Sequence, residues 1–223
     1  MKIVNISVDW LGQKPDGAQM IANIATAGRI CYQSEGSTSD EKFVRLRIAQ
    51  GHESILEHEK VSVIVKCDRG VSHEQVRHRI ASYSQESTRY CNYGRDKFGG
   101  GISYIDISEG LKLDPVTSKL SPEARIDLYV EWLQACHDAE RHYLRMLELG
   151  ASPQIARSVL NHSTKTQIAI TYNLREWRLF FRLRCDPAAH PQMRELAIMM
   201  LKKLHAAIPV VFDDLMEMYK EVR

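Results

Sequence analysis

Cysteine is scarce and scattered in this 223-residue chain: Cys31, Cys67, Cys91, Cys136 and Cys185, with no Cys-x-x-Cys pair. An odd number at such spacings argues against a disulfide framework or a structural zinc site. It fits a reducing compartment and reads as buried free thiols. Glycine (12) and proline (7) nowhere gather into a linker or an internal repeat, which removes collagen-like and low-complexity classes. No apolar run approaches the roughly 18 residues a membrane helix needs. The opening Met1-Lys2-Ile3-Val4-Asn5-Ile6 is too polar for a secretory leader, so a soluble cytoplasmic protein is expected. Phosphate-loop patterns are missing too: Gly99-Gly100-Gly101 lacks both a following Lys-Ser/Thr and a G-x-G-x-x-G spacing. Ser87 has no G-x-S-x-G setting and no Pro-Cys dipeptide occurs, so no activated nucleophile is signalled.

What is present suits an ordinary globular domain, 44% apolar, 26% charged and 8% aromatic, expected to be a single unit over residues 1–223. The net charge of +2 hides an uneven distribution. Residues 69–97 carry +3 and residues 157–184 carry +5, against −6 for the remainder. Two basic segments in a mildly acidic body suit an anionic partner such as a nucleotide, a phosphorylated cofactor or nucleic acid.

Periodicity predicts a helix over Ala18–Tyr32, with Met20, Ile21, Ile24, Ala27 and Cys31 inward. Thr38-x-x-Glu41 reads as a capping box for a second helix to Gln50, stopped by Gly51. Alternation over Lys60–Cys67 predicts a half-buried strand, and Val71 to about Ile80 a helix. Ser121-Pro122-Glu123 opens a long helix ending at Gly150, its stripe being Leu128, Trp132, Ala135, Ala139 and Tyr143. A short helix from Ser152-Pro153 to Leu160, a strand over Thr164–Tyr172, a helix from Asn173 to Cys185 and two helices over His190–Arg223 complete the chain. The class expected is α+β, helix-rich, with few strands.

The densest polar stretch runs from Glu74 to Tyr90. If helical to Arg79, it sets Glu74 on one face with Arg77 and His78; if extended, Ser87 and Arg89 share a face. Arginine's planar fork suits phosphate, and a nearby carboxylate can read an N–H edge. Any one of these residues alone reads as a solvated polar face; the ensemble reads as a site. In the second basic segment Arg175, Arg178 and Arg182 share a helix face, which also suits plain pairing with acids elsewhere. Gly51-His52-Glu53-Ser54-Ile55-Leu56-Glu57-His58 is not HExxH, since four residues separate Glu53 from His58, and no metal site is expected. These residues point to an anionic-ligand site without disclosing a reaction.

Arg77-His78-Arg79, seven residues and then Ser87 resembles the RHR-x7-S motif of flavin-dependent thymidylate synthases. Three further segments agree in order: Gly51-His52-Glu53-Ser54 with Glu57-His58, Ile155-Ala156-Arg157, and Asn173-x-Arg175-x-Trp177 with Arg184 downstream. The resemblance spans roughly Gly51 to Arg194. It implies a helix-rich α+β domain with a small antiparallel sheet and an FAD-dependent methyltransferase. The expected reaction converts dUMP to dTMP with methylenetetrahydrofolate and NADPH, in a homotetramer with shared active sites. It places dUMP on Glu74, Gln75, Val76, Arg77, Gln85, Glu86, Ser87, Thr88, Arg89, Arg157 and Arg184, with Arg184 as the catalytic group that stabilises deprotonated uracil. It places FAD on Ser54, Arg77, His78, Arg79, Gln85, Asn173, Arg175 and Leu179. Two departures stand out: Ser84-Gln85 where many members carry Asn-Glu, and Leu179 where His or Asn is usual. Without a cysteine nucleophile the uracil is expected to be polarised electrostatically, with Ser87 positioning rather than attacking. The rival reading, a nucleic-acid-binding module, is opposed by the interleaved Glu74, Glu86 and Glu176 and by the lack of any RRM, KH or helix-turn-helix pattern.

Overall fold

The computed structural model describes residues 1–33 and 38–220. In chain order the regular elements are β1 (Lys2–Val4), β2 (Ser7–Trp10), α1 (Gly17–Tyr32), α2 (Asp40–Ala49), β3 (Lys60–Asp68), α3 (Arg69–Gln75), β4 (Ala81–Gln85) and β5 (Ser103–Ile105). They continue with α4 (Ser108–Leu113), α5 (Pro122–Glu148), α6 (Pro153–Ala156), β6 (Lys165–Asn173), α7 (Leu174–Arg184), α8 (Pro191–His205) and α9 (Pro209–Met218). Residues 221–223, the end of the expected last helix, lie outside the described set.

Four strands form an antiparallel sheet in the order β2-β3-β6-β4. Its centre is the long β3–β6 ladder, in register from Lys60 opposite Asn173 to Asp68 opposite Lys165. Alternation fixes that register, because a one-residue slip would turn every apolar side chain to the wrong face. Val61, Val63, Val65 and Cys67 on β3 and Ile168, Ile170 and Tyr172 on β6 are buried. The face they form packs in one core with residues of α1, α2, α7, α8 and α9. A separate parallel pair, β1–β5, belongs to a smaller core under α5 built from Tyr93, Ile102, Tyr104, Cys136, Tyr143 and Ala156.

The helix starts follow the local chemistry. Ser121 Oγ accepts from Ala124 N at 3.2 Å with Pro122 in the first turn, and Asn173 Oδ1 accepts from Glu176 N at 2.8 Å. Several expectations need correction. The cap of α2 is Ser39, not Thr38: Ser39 Oγ accepts from Lys42 N. The helix expected over 71–80 starts at Arg69, where Asp68 caps Val71 N, and stops at Gln75. Instead of accepting from Arg79 N–H, the Gln75 carbonyl accepts from His78 N (3.1 Å) in a tighter turn and lies 2.6 Å from the Tyr83 hydroxyl. Ser87–Arg89, left open by the sequence, forms a turn, with Tyr90 N and Cys91 N both donating to Ser87 O. Cys31 is exposed and Cys91 half-buried, so only Cys67, Cys136 and Cys185 are buried thiols; the inward residues of α1 are Met20, Ile21, Ile24 and Ala25.

Candidate active site

Helix α7 organises the site. It leaves β6 without a loop, because Asn173 is both the last strand residue and the helix cap. Its arginines then divide between two tasks. Arg178, 1% exposed, donates Nε to Glu53 Oε1 (3.0 Å) and forks onto both oxygens of Asp214 (2.8 and 2.6 Å), while Arg182 also pairs with Glu53. Arg175 pairs with Glu57 at 2.5 Å. These contacts bind the 3-10 turn Glu53–His58, which carries Ser54, to α7, with Ile55 and Leu56 buried beneath it. Burial raises the Glu53 pKa, but the Arg182 hydrogen bond and the Arg178 charge outweigh it and hold the carboxylate below its usual range. Arg178 and Arg182 are thus paired with acids, as their shared face allowed.

Arg184, at the end of α7, has a different set of partners. Its Nε donates to His78 Nε2 (3.2 Å), Nη1 to Glu74 Oε2 (2.7 Å) and Nη2 to the Glu74 carbonyl (3.1 Å). His78 is 5% exposed, packs edge-on against Phe180, and bonds Glu176 Oε1 through Nδ1 at 2.8 Å. Below it Tyr172 and Tyr83 join their hydroxyls at 2.7 Å, and Tyr83 Oη lies 2.7 Å from the His78 carbonyl. Burial pushes the His78 pKa down, against the pull of Glu176, so the imidazole is neutral near pH 7.

The residues expected at the site fall into two groups at the two ends of α3, which is about 10 Å long. At the C-terminal end lie Glu74, Gln75, His78 and Arg184. Beside them a cavity of about 440 Å³ is lined by Asn173, Arg175, Leu179, Ile80 and Glu176 among others. Arg77 and Arg79 are exposed and have no carboxylate partner among the described residues, while Val76 is exposed beside them. Gln75 is fully buried with neither amide atom hydrogen-bonded, an orphan donor–acceptor pair of the kind native structures seldom leave. At the N-terminal end Arg157 Nη1 donates to Thr88 Oγ1 (3.1 Å) beside a cavity of about 400 Å³ that also contains Arg69, His73 and His162. Ser87 and exposed Arg89 form the turn leading into it. Gln85 Nε2 points inward to Ser72 Oγ (2.9 Å), and Glu86 is held by Lys165 (2.7 Å) and the Tyr93 hydroxyl (2.7 Å).

Sequence reasoning missed Glu176, Tyr83, Tyr172, Arg69 and the His73–His162 pair as parts of these clusters. Only Glu176 left a signal: it is the lone acid between Arg157 and Arg184. Four of the five thiols are held away from the reactive thiolate form. Burial pushes the pKa values of Cys67, Cys91 and Cys136 up, and that of Cys185 up to about 12. Among the described residues no three His, Cys, Asp or Glu side chains gather as a metal site, and no helix is long and apolar enough to cross a membrane.

Comparison with known proteins decides what this geometry belongs to. A family model described as thymidylate synthase complementing protein matches residues 16–210. The flavin-dependent thymidylate synthase of Geobacter sulfurreducens is 34% identical over 203 residues, covering 86% of this chain and 81% of that protein. The chain belongs to the flavin-dependent thymidylate synthase family. The family's enzyme from Corynebacterium aurimucosum is 33% identical over 215 residues, covering 93% of this chain and 84% of its own. A crystal structure of the UMP/dUMP methylase PolB from Streptomyces cacaoi, bound with 5-Br dUMP, aligns over 98% of both chains with a TM-score of 0.77. At 21% identity it establishes the shared helix-rich α+β fold.

The flavin that family membership implies meets residues that fit it. Arg77 and Arg79 are guanidinium groups with no ion pair among the described residues, which suits a pyrophosphate, and Ile80 and Leu179 give the neighbouring cavity an apolar wall.

Proposed function

We propose that the chain converts dUMP to dTMP. A methylene carbon comes from 5,10-methylenetetrahydrofolate and a hydride from NADPH by way of FAD, so that dUMP, methylenetetrahydrofolate, NADPH and a proton give dTMP, tetrahydrofolate and NADP⁺. The observation that carries this reading is Arg184. It is a half-buried guanidinium held by three hydrogen bonds, with no activated thiol near it. Three of its five N–H groups are engaged within the chain, so two are left for a substrate oxygen. A fixed cation beside a pyrimidine ring stabilises the anion that develops when the ring becomes nucleophilic at C5, the role a covalent thiolate adduct would otherwise fill.

The remaining residues bind and orient. Arg157 and Thr88, with Ser87 and Arg89 on the adjoining turn, hold the nucleotide's phosphate. Glu74, Gln75, Val76, Arg77, Gln85 and Glu86 complete the dUMP side. Arg77, Arg79, Asn173, Arg175 and Ser54 would hold FAD and Leu179 would pack against it, with His78 and Gln85 the remaining positions assigned to the cofactor. When bound, the flavin supplies the hydride it takes from NADPH. The dUMP residues stand at both ends of α3, and apolar Val76, Ile80, Leu179 and Leu183 are exposed beside the arginines. Both features support a homotetramer whose active sites are shared between subunits, working as a single-domain cytoplasmic enzyme.

The test is the visible absorbance of the purified protein, recorded anaerobically before and after NADPH with and without dUMP, followed by a dTMP assay with the folate. A flavin spectrum that bleaches at a rate set by dUMP, and dTMP formation, are the expected results. A protein that neither carries nor binds FAD would overturn the reading.

A further inference from the structure

Glu176 is 5% exposed, a depth at which an ionised carboxylate persists only with a partner. That partner is His78, whose Nδ1 lies 2.8 Å from Glu176 Oε1. The other ring nitrogen, Nε2, stands 3.2 Å from Arg184 Nε. A guanidinium donates and never accepts, so Nε2 is the acceptor and the ring proton sits on Nδ1. The tautomer is thus specified from both sides. The groups facing the ring are Glu74 from α3, Tyr172 from β6, and Glu176, Phe180 and Arg184 from α7, while the Tyr83 hydroxyl on β4 meets the His78 carbonyl.

We propose that Glu176 is a positioning residue for the reaction: by keeping the proton on His78 Nδ1 it leaves Nε2 as the acceptor that aims the Arg184 guanidinium at the uracil. The proposal rests on the reading of Arg184 given above. Without Glu176 the imidazole is free to carry its proton on Nε2, which would set an N–H against the N–H of Arg184 Nε. The guanidinium would then be steered by Glu74 alone, which already takes Nη1 and Nη2.

The experiment uses the FAD-loaded enzyme with ¹⁵N-labelled histidine, His78 being assigned by comparison with His78→Gln, alongside kinetics of Glu176→Gln, Glu176→Leu and Arg184→Ala. In the wild-type enzyme the expected spectrum has a protonated Nδ1 and an unprotonated Nε2. The amide oxygen of Glu176→Gln still accepts from Nδ1, so that variant should keep this tautomer and most of kcat. Glu176→Leu should shift the proton to Nε2 and lower kcat about 10- to 100-fold, the range typical of lost supporting hydrogen bonds, with little change in the KM for dUMP. A wild-type His78 protonated on Nε2 or on both nitrogens overturns the proposal. So does a Glu176→Leu enzyme as fast as wild type, or a Glu176→Gln enzyme as slow as Glu176→Leu. If Glu176→Leu does not fold, the wild-type tautomer and the Glu176→Gln kinetics decide. Full turnover by Arg184→Ala would sink the role given to Arg184. An inactive Arg184→Ala beside a fully active Glu176→Leu would sink this proposal alone.

Discussion

Replacing Arg178 by Ala should damage stability without touching the site. The side chain is 1% exposed and holds two carboxylates at once: Glu53, 11% exposed, and Asp214, half-exposed, with a further bond to the Val211 carbonyl. Removing one member of a buried ion pair typically costs about 3–5 kcal/mol, mostly because the remaining charge is stranded. Here Glu53 keeps Arg182 and Asp214 can rehydrate, so the lower end applies, about 3 kcal/mol. For a chain of this size that lowers Tm by about 6–12 °C. Arg178→Lys should recover only part of the loss, because an ammonium cannot fork onto Asp214 and reach Glu53 as well. Glu53 is held below the usual carboxylate range, so its contribution is present above the unfolded value near 4.5 and fades as pH falls through the lower folded value. The stability gap between wild type and Arg178→Ala should therefore narrow as pH falls below the unfolded carboxylate value. Calorimetry at fixed protein concentration measures this, since assembly makes Tm concentration-dependent. A change of less than about 2 °C would mean that Ile55 and Leu56 alone anchor the turn and that the ion network adds nothing.

Arg184→Ala should retain FAD, seen in its absorbance, yet lose most dTMP formation; normal turnover would remove the role assigned to the guanidinium. Ser87→Ala should keep measurable dTMP synthesis, since Ser87 Oγ only accepts from Arg89 N and has no base beside it; total loss with intact ligand binding would make it a nucleophile. Glu195 is pushed up to about 7, chiefly by burial and then by Glu109, Asp106 and Asp68. Its folded value exceeds the unfolded one, so stability falls as pH rises from about 4.5 through 7 and the group ionises. Glu195→Gln should accordingly stabilise the protein at pH 8 by about 1 kcal/mol after allowance for solvent screening, and by little at pH 4, below the unfolded value; thermal melts at the two pH values compare them.

The elements that could be read from the sequence were those whose own residues dictate them. β3 and β6 alternate strictly, α5 begins with Ser121-Pro122-Glu123, and α7 has Asn173 in front of it. Those that escaped are set by distant partners. β4 is short, with only Ala81 and Tyr83 turned to the core, and is a strand because β6 offers it a ladder; α3 gives way after Gln75 to a turn whose carbonyl meets the hydroxyl of Tyr83, eight residues on. The site shows the same division. Its arginines announced themselves by charge density, and the ordered motifs placed them. Which guanidinium faces a ligand and which is locked inside depends on Glu53, Asp214 and Glu74, far off in sequence.

The direct passage from β6 into α7 has a consequence for how the chain can change length. With Asn173 serving as both strand end and helix cap, no residue lies between sheet and helix to absorb an insertion or deletion. One added residue in β6 would exchange the strand's two faces, and one added in α7 would rotate everything beyond it by about 100°, carrying Arg184 away from Glu74. Length variants selected for activity should therefore leave residues 165–184 untouched. They should gather instead where the backbone already tolerates left-handed glycines at Gly99 and Gly100, or in the stretch between α4 and α5.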